Sequence, residues 1–303
     1  MGCILVKNHL VSTVKINTYK APCINLKCLE KIKTSDSNLS NYVSLSFLGV
    51  GGYGEVLEAF HVPSKTYRAL KIISKINFKH KEHNFCQVQR ESLILSKLSH
   101  KNIIGYFETL EDDLKFYIIT ELCLGGSLAE KLRKSKKFSE AFTIEIMKQV
   151  LDAVEYLHSQ KIIHRDIKLE NILLKDSSSN SIKLIDFGCS EYIKPGESLS
   201  SCMGSLFYLA PEVIKGNSTE KTDVWSCGIL ALIMLTGTLP YLGKNLTEIK
   251  EEIRCLSNND VNQRILNISF EAQNFIRQML EVDQSKRVTA GNARKHAWLN
   301  NTC

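Results

Sequence analysis

The chain concentrates its reactive side chains in His164-Arg165-Asp166-Ile167-Lys168-Leu169-Glu170-Asn171, which the apolar Ile172-Leu173-Leu174 follows. Ile185-Asp186-Phe187-Gly188 adds a second carboxylate downstream, and Ala210-Pro211-Glu212 comes after it. Transfer of a phosphoryl group needs a carboxylate at the incoming hydroxyl, a cation on the γ-phosphate and oxygen ligands for Mg²⁺. These segments supply all three in a compact order that chance does not explain.

Upstream, Gly49-Val50-Gly51-Gly52-Tyr53-Gly54-Glu55-Val56 lies between two strand-like runs. Without Cβ atoms such a loop folds down until its backbone N–H groups approach phosphate oxygens. Taken alone, it reads equally well as a structural hairpin turn. A dinucleotide fingerprint would need a helix directly after the glycines; here Val56–Phe60 continues as strand, which favours a phosphate-covering hairpin. Beyond it lies Arg68-Ala69-Leu70-Lys71, and Glu91 sits on the next helical stretch. A Lys71–Glu91 ion pair would hold the ammonium where it grips two phosphates, whereas a lone strand lysine would face solvent.

These groups need elements to position them. From Tyr42 to about Glu121 the pattern is strand-like, with Arg68–Ile73 and Phe116–Thr120 as clear β runs and Gln87–Leu98 helical. Helices dominate from Leu128. Ser139 opens a long amphipathic one, with Ile144, Met147, Val150, Leu151, Val154 and Leu157 at helical spacing, and Ser177–Ser181 reads as a polar turn. A small strand-rich lobe before a larger helical one is an α+β arrangement, with the site expected in the cleft between them.

Composition narrows the class. The 303 residues suffice for a substantial core. The richest apolar run, Ile229–Leu235, is about a third of a membrane span. The ten cysteines are scattered, without metal-ligand spacing, so free thiols in a reducing cytosol are expected and zinc is not. A net charge of +7 without interleaved aromatics reads as a lysine-rich surface, and no nucleic-acid partner is expected.

Over about Tyr42 to Leu299 the sequence resembles the eukaryotic protein kinase superfamily, through the motifs quoted above. The resemblance implies a bilobal fold with a small lobe over 42–123 and a helical lobe over 124–299; residues 1–41, mostly positive and without a sustained period, read as a poorly ordered basic extension, and 300–303 as a tail. It implies ATP and Mg²⁺ as cofactors and protein serine or threonine hydroxyls as acceptors. Leu48, Gly49, Val50, Gly51, Gly52, Tyr53 and Gly54 would cover the nucleotide, and Lys71, held by Glu91, would contact its phosphates. Val56, Ala69 and Leu173 would sandwich adenine. Glu121 and Cys123 would bond it through their backbone, with Thr120 guarding the pocket behind. Asp166 would take the acceptor proton, Lys168 would stabilise charge on the γ-phosphate, and Asn171 and Asp186 would bind Mg²⁺. Leu95, Phe107, His164 and Phe187 are expected to stack as an apolar column anchored by Asp223, and Glu212 to pair with Arg287 in a buried, purely structural bridge.

Lys168 is similar to the serine/threonine branch, where Ser205 would bridge Asp166 and Lys168 in place of a threonine. The helical lobe is most similar to the calmodulin-dependent and calcium-dependent group, through Gly204–Val213, Glu220–Gly228 and His296-Ala297-Trp298-Leu299. No D-x-[DN]-x-[DN]-G loop accompanies it, so direct calcium control is not expected. Glu170 implies a mild preference for basic residues upstream of the acceptor, limited by Ser127 and Ile233 where strongly basophilic relatives carry acids.

Arg165 beside Asp166 points to control by phosphate on Ser201, delivered by an upstream kinase; the competing reading is a polar loop with incidental serines. Met1-Gly2-Cys3 resembles an acylation signal, with Gly2 and Cys3 as lipid sites, although Val6 stands where the motif wants Ser or Thr. The expectation is a cytoplasmic protein that acylation would bring to a membrane surface. A catalytically dead scaffold of the same fold would have lost Lys71, Asp166, Asn171 or Asp186, and none is lost.

Overall fold

The structure, a computed structural model, describes residues 36–300 apart from 52–53, 79–81 and 195. A 3-10 turn, Asp36–Asn41, leads into five antiparallel strands: β1 (Tyr42–Gly51), β2 (Gly54–His61), β3 (Thr66–Ser74), β4 (Tyr106–Glu111) and β5 (Lys115–Glu121), in the order β1-β2-β3-β5-β4. Central strand β3 separates two faces by simple alternation. Arg68 and Leu70 are buried on one side, while Ala69 and Lys71 turn to the other. The first side closes over a small core of Tyr42, Ala59, Leu70, Leu110, Tyr117 and Ile119. Helix α1 (Glu82–Lys97) brings Val88, Ile94 and Leu95 to the main core. It begins earlier than its apolar period alone indicates.

The helical part follows. Helix α2 (Leu128–Ser135) starts in a capping box, Ser127 accepting from the Glu130 N–H and Glu130 reaching back to the Ser127 N–H. Helix α3 (Glu140–Ser159) is capped by Ser139 as its sequence predicts, and buries Met147, Val150, Leu151, Val154 and Leu157. The predicted Ile144 only borders this core, and Thr143 and Ile146 are buried in its stead. Short strands β6 (Ile162–Ile163), β7 (Ile172–Leu174), β8 (Ile182–Leu184) and β9 (Glu191–Tyr192) form two antiparallel pairs, β6–β9 and β7–β8. Then come α4 (Pro211–Ile214), α5 (Lys221–Thr236), α6 (Leu246–Cys255), α7 (Asn258–Arg264), α8 (Phe270–Met279), α9 (Ala290–Arg294) and α10 (Ala297–Asn300).

Helix α5 is buried on every side from Thr222 to Leu235, as a helix apolar all round must be, and forms the trunk of this lobe. No helix among the described residues is long and apolar enough to cross a membrane.

Candidate active site

Asp166 and Lys168 sit between β6 and β7, two strands too short to stand alone and held by their neighbours. Asp223, at the start of α5, fixes the loop from below. Its Oδ2 accepts from the His164 N–H at 2.9 Å and its Oδ1 from the Arg165 N–H at 2.8 Å, and the His158 ring adds a contact at 2.9 Å. Burial raises this carboxyl's pKa, but the hydrogen bonds outweigh it and hold the group below the usual carboxylate range. Two non-glycine residues here adopt left-handed backbone, Arg165 at φ 68° and Asp186 at φ 62°. Such strain costs about 1–3 kcal/mol each and survives only where surrounding contacts overdetermine the geometry.

The reactive groups converge on one point. Lys168 Nζ lies 2.7 Å from Asp166 Oδ2. Ser205 Oγ donates to Asp166 Oδ1 at 2.7 Å and accepts from Lys168 Nζ at 2.8 Å. Asn171 spends its Nδ2 on the Asp166 carbonyl at 2.8 Å and on Oδ2 at 3.0 Å, which leaves its amide oxygen as a ligand atom. Across the cleft, Lys71 Nζ is 2.7 Å from Glu91 Oε1 and 3.5 Å from Asp186 Oδ1. Burial would lower the Lys71 pKa, but the two carboxylates win and raise it, so this ammonium stays charged. Lys168 follows the same balance, with Asp166 overcoming burial. Burial pushes His164 down and keeps its ring neutral near pH 7.

The roof and walls follow from β1, β2 and β3. A Cβ on Gly54 would fall 1.8 Å from the Ile72 carbonyl oxygen, so only glycine fits against β3. Gly49 instead has open space where a Cβ would stand, room that a phosphate-bearing ligand could use. Gly49, Val50 and Gly51 pair with Val56, Glu55 and Gly54 across the hairpin, after the exposed Leu48. The tip, Gly52 and Tyr53, lies outside the described residues. Val56, Ala69 and Leu173 are partly buried. At the connection between the lobes, no other described backbone group takes the N–H or C=O of Cys123. Burial pushes the Cys123 thiol up to about 12, which keeps it protonated near pH 7.

Some contacts follow the motif reading and others escape it. Phe107 does not join the apolar column with Leu95, His164 and Phe187: it is 48% exposed and lies against Arg68, whose guanidinium stands 3.9 Å from the ring centre. The cause is a register shift in β4 between Tyr106 and Glu108, which turns Phe107 outward and leaves Tyr106 packed on the main core. His164 and Phe187 do meet, edge to face with ring centres 4.8 Å apart. The Glu121 carboxylate, beyond its expected backbone role, accepts from the Gly105 N–H at 2.9 Å and pairs with Lys183 at 2.8 Å. Gln87 of α1 donates to the Gly188 carbonyl, and Arg90 pairs with Glu191 at 2.6 Å. Arg165 reaches both the Ser201 carbonyl and its hydroxyl at 2.7 Å. Arg287 grips both oxygens of Glu212 at 2.5 and 3.0 Å, in the bridge expected of that pair.

Comparison with known proteins agrees with this geometry. The family model described as "Protein kinase domain" matches residues 42–299. Calcium-dependent protein kinase 5 of Plasmodium berghei (strain Anka) is 37% identical over 252 residues, which cover 83% of this chain and 44% of that protein. Calcium-dependent protein kinase 3 of Plasmodium yoelii yoelii is 38% identical over 265 residues, 86% of this chain and 48% of that protein. The chain thus spans a little under half the length of these curated relatives. With a matching family model over most of its length and these relatives beside it, the chain belongs to the protein kinase family.

Proposed function

We propose that this domain binds ATP with Mg²⁺ in the cleft and transfers the γ-phosphate to serine or threonine hydroxyls of protein substrates. The observation that carries this is the cluster in which Ser205 and Lys168 both contact the Asp166 carboxylate while Lys71, Glu91 and Asp186 face it across the cleft. Asp166, oriented by Ser205 and Asn171, accepts the proton of the incoming hydroxyl. Lys168 balances charge on the moving phosphoryl group, and Lys71, fixed by Glu91, holds the α- and β-phosphates. Asn171 and Asp186 offer the hard oxygen atoms that suit Mg²⁺, which when bound would neutralise phosphate charge.

Leu48 and the Gly49–Gly54 hairpin cover the nucleotide, Val56, Ala69 and Leu173 pack on adenine, and Thr120, Glu121 and Cys123 edge its ring. The exposed Glu170 favours a basic residue upstream of the acceptor. Phosphate on Ser201 would meet the guanidinium of Arg165. Gly2 and Cys3 lie outside the described residues; acylation there would add membrane affinity, and metabolic labelling with fatty-acid analogues tests it.

The deciding experiment measures transfer of labelled γ-phosphate from MgATP to a basic protein and a degenerate peptide library. Incorporation on serine or threonine should vanish in Asp166→Asn and Lys71→Met. ATP binding without transfer by the wild-type chain, even after coexpression with activating kinases, would instead favour a scaffold.

A further inference from the structure

One face of α1 carries more than Glu91. Gln87, Arg90 and Lys97 follow at intervals that return to the same side of a helix. Each touches the segment that begins at Phe187. Gln87 donates to the Gly188 carbonyl. Arg90 Nη1 is 2.6 Å from Glu191 Oε2, with both side chains largely withdrawn from water. The Lys97 ammonium stands 5.8 Å from the centre of the Tyr192 ring. Glu191 and Tyr192 make up the whole of β9, which pairs with Ile163 and Ile162 directly before His164. This strand therefore links the helix bearing Glu91 to the loop bearing Asp166.

Arg165 of the catalytic loop turns its guanidinium to Ser201, whose carbonyl and hydroxyl it meets at 2.7 Å. Asp223 accepts from the backbone of His164 and Arg165 and contacts His158. Glu191 thus belongs to Arg90, and this pair joins α1 to β9.

We infer that Glu191 is a positioning residue whose carboxylate, held by β9 against Arg90 of α1, keeps Glu91 on Lys71 without any phosphate on Ser201. The inference rests on the phosphotransfer reading above. Removing this charge leaves the largely buried Arg90 without its partner and loosens α1 from β9. Phosphate on Ser201 would act at Arg165, which already bonds that residue, so here it would modulate activity and not license it.

The test uses the full chain coexpressed with a phosphatase, with unmodified Ser198, Ser200 and Ser201 verified by mass. Dephosphorylated wild type should transfer phosphate. Glu191→Gln should raise KM for ATP and lower kcat/KM about tenfold, as expected if the ion-paired position of α1 drops to about a tenth of the population. Amide exchange should accelerate in α1 and not in α5. Glu191→Asp, which keeps the charge, should retain most of the activity, and Arg90→Gln should reproduce the loss from the helix side.

Wild-type kinetics and α1 protection in both Glu191→Gln and Arg90→Gln would overturn the inference and leave the phosphotransfer reading standing. So would a wild-type chain that works only with phosphate on Ser201. Absence of transfer in every form would count against the phosphotransfer reading, while α1 exchange, which needs no turnover, would still decide the role of Glu191.

Discussion

Replacing Ser205 by alanine isolates one hydroxyl at the centre of the proposed chemistry. Ser205 Oγ contacts Asp166 Oδ1 at 2.7 Å and Lys168 Nζ at 2.8 Å, and Asp166 and Lys168 are only 4% and 5% exposed. Water would substitute poorly for the lost hydroxyl in such a place. A hydrogen bond to a charged group contributes about 1.5–3 kcal/mol. The two bonds share one hydroxyl, however, and the direct Lys168–Asp166 contact at 2.7 Å survives the change. The expected loss of transition-state stabilisation is therefore about 2–3 kcal/mol, or about 30–150-fold in kcat. KM for ATP should move little, because the hydrogen bonds of Ser205 go to Asp166 and Lys168 and not to Lys71 or the lobe connection. Ser205→Thr keeps the hydroxyl and should stay near wild type. The assay is steady-state phosphorylation of a serine peptide, with thermal melting to verify the fold. A Ser205→Ala kcat within about threefold of wild type, less than 1 kcal/mol, would refute the bridging role.

Three other expectations concern the frame around the site. Arg287→Ala leaves the buried Glu212 carboxylate without its partner and should cost about 3–5 kcal/mol in urea unfolding, with little effect on KM for ATP in the surviving folded fraction. Tyr106→Ala should cost about 2–4 kcal/mol by the same measurement, whereas the half-exposed Phe107→Ala should cost no more than about 1 kcal/mol, the value of its stacking on Arg68. Asp223 has its pKa depressed, so the stability it contributes is complete above the unfolded carboxylate value of about 4 and is lost as pH falls through the lower folded value. Asp223→Asn should flatten that acid side of the stability profile, as followed by urea midpoints from pH 3 to 7.

Much of the fold was legible because its signals are local. The Ser139 cap, the apolar period of α3 and the alternation of β3 each depend on residues a few positions apart. The misplacement of Phe107 shows where such reasoning stops. Alternation predicts a strand's two faces only while its register holds, and the shift between Tyr106 and Glu108 is set by pairing with β5, which composition does not announce. Glu121 is similar: its carboxylate acquires a role only because Gly105 and Lys183 arrive beside it from elsewhere in the chain.

The sequence by itself determined which functional groups this protein owns and their order, from the glycine hairpin through Lys71, Glu91, Asp166 and Asp186 to Arg287. It could do so because the chemistry demands particular atoms at short spacings, and those spacings survive as motifs. Only the tertiary structure decided which groups meet. Arg90 and Glu191 come from α1 and β9, and no spacing rule joins them. Their association depends on how α1 docks against the β6–β9 pair, which is a property of packing between distant segments.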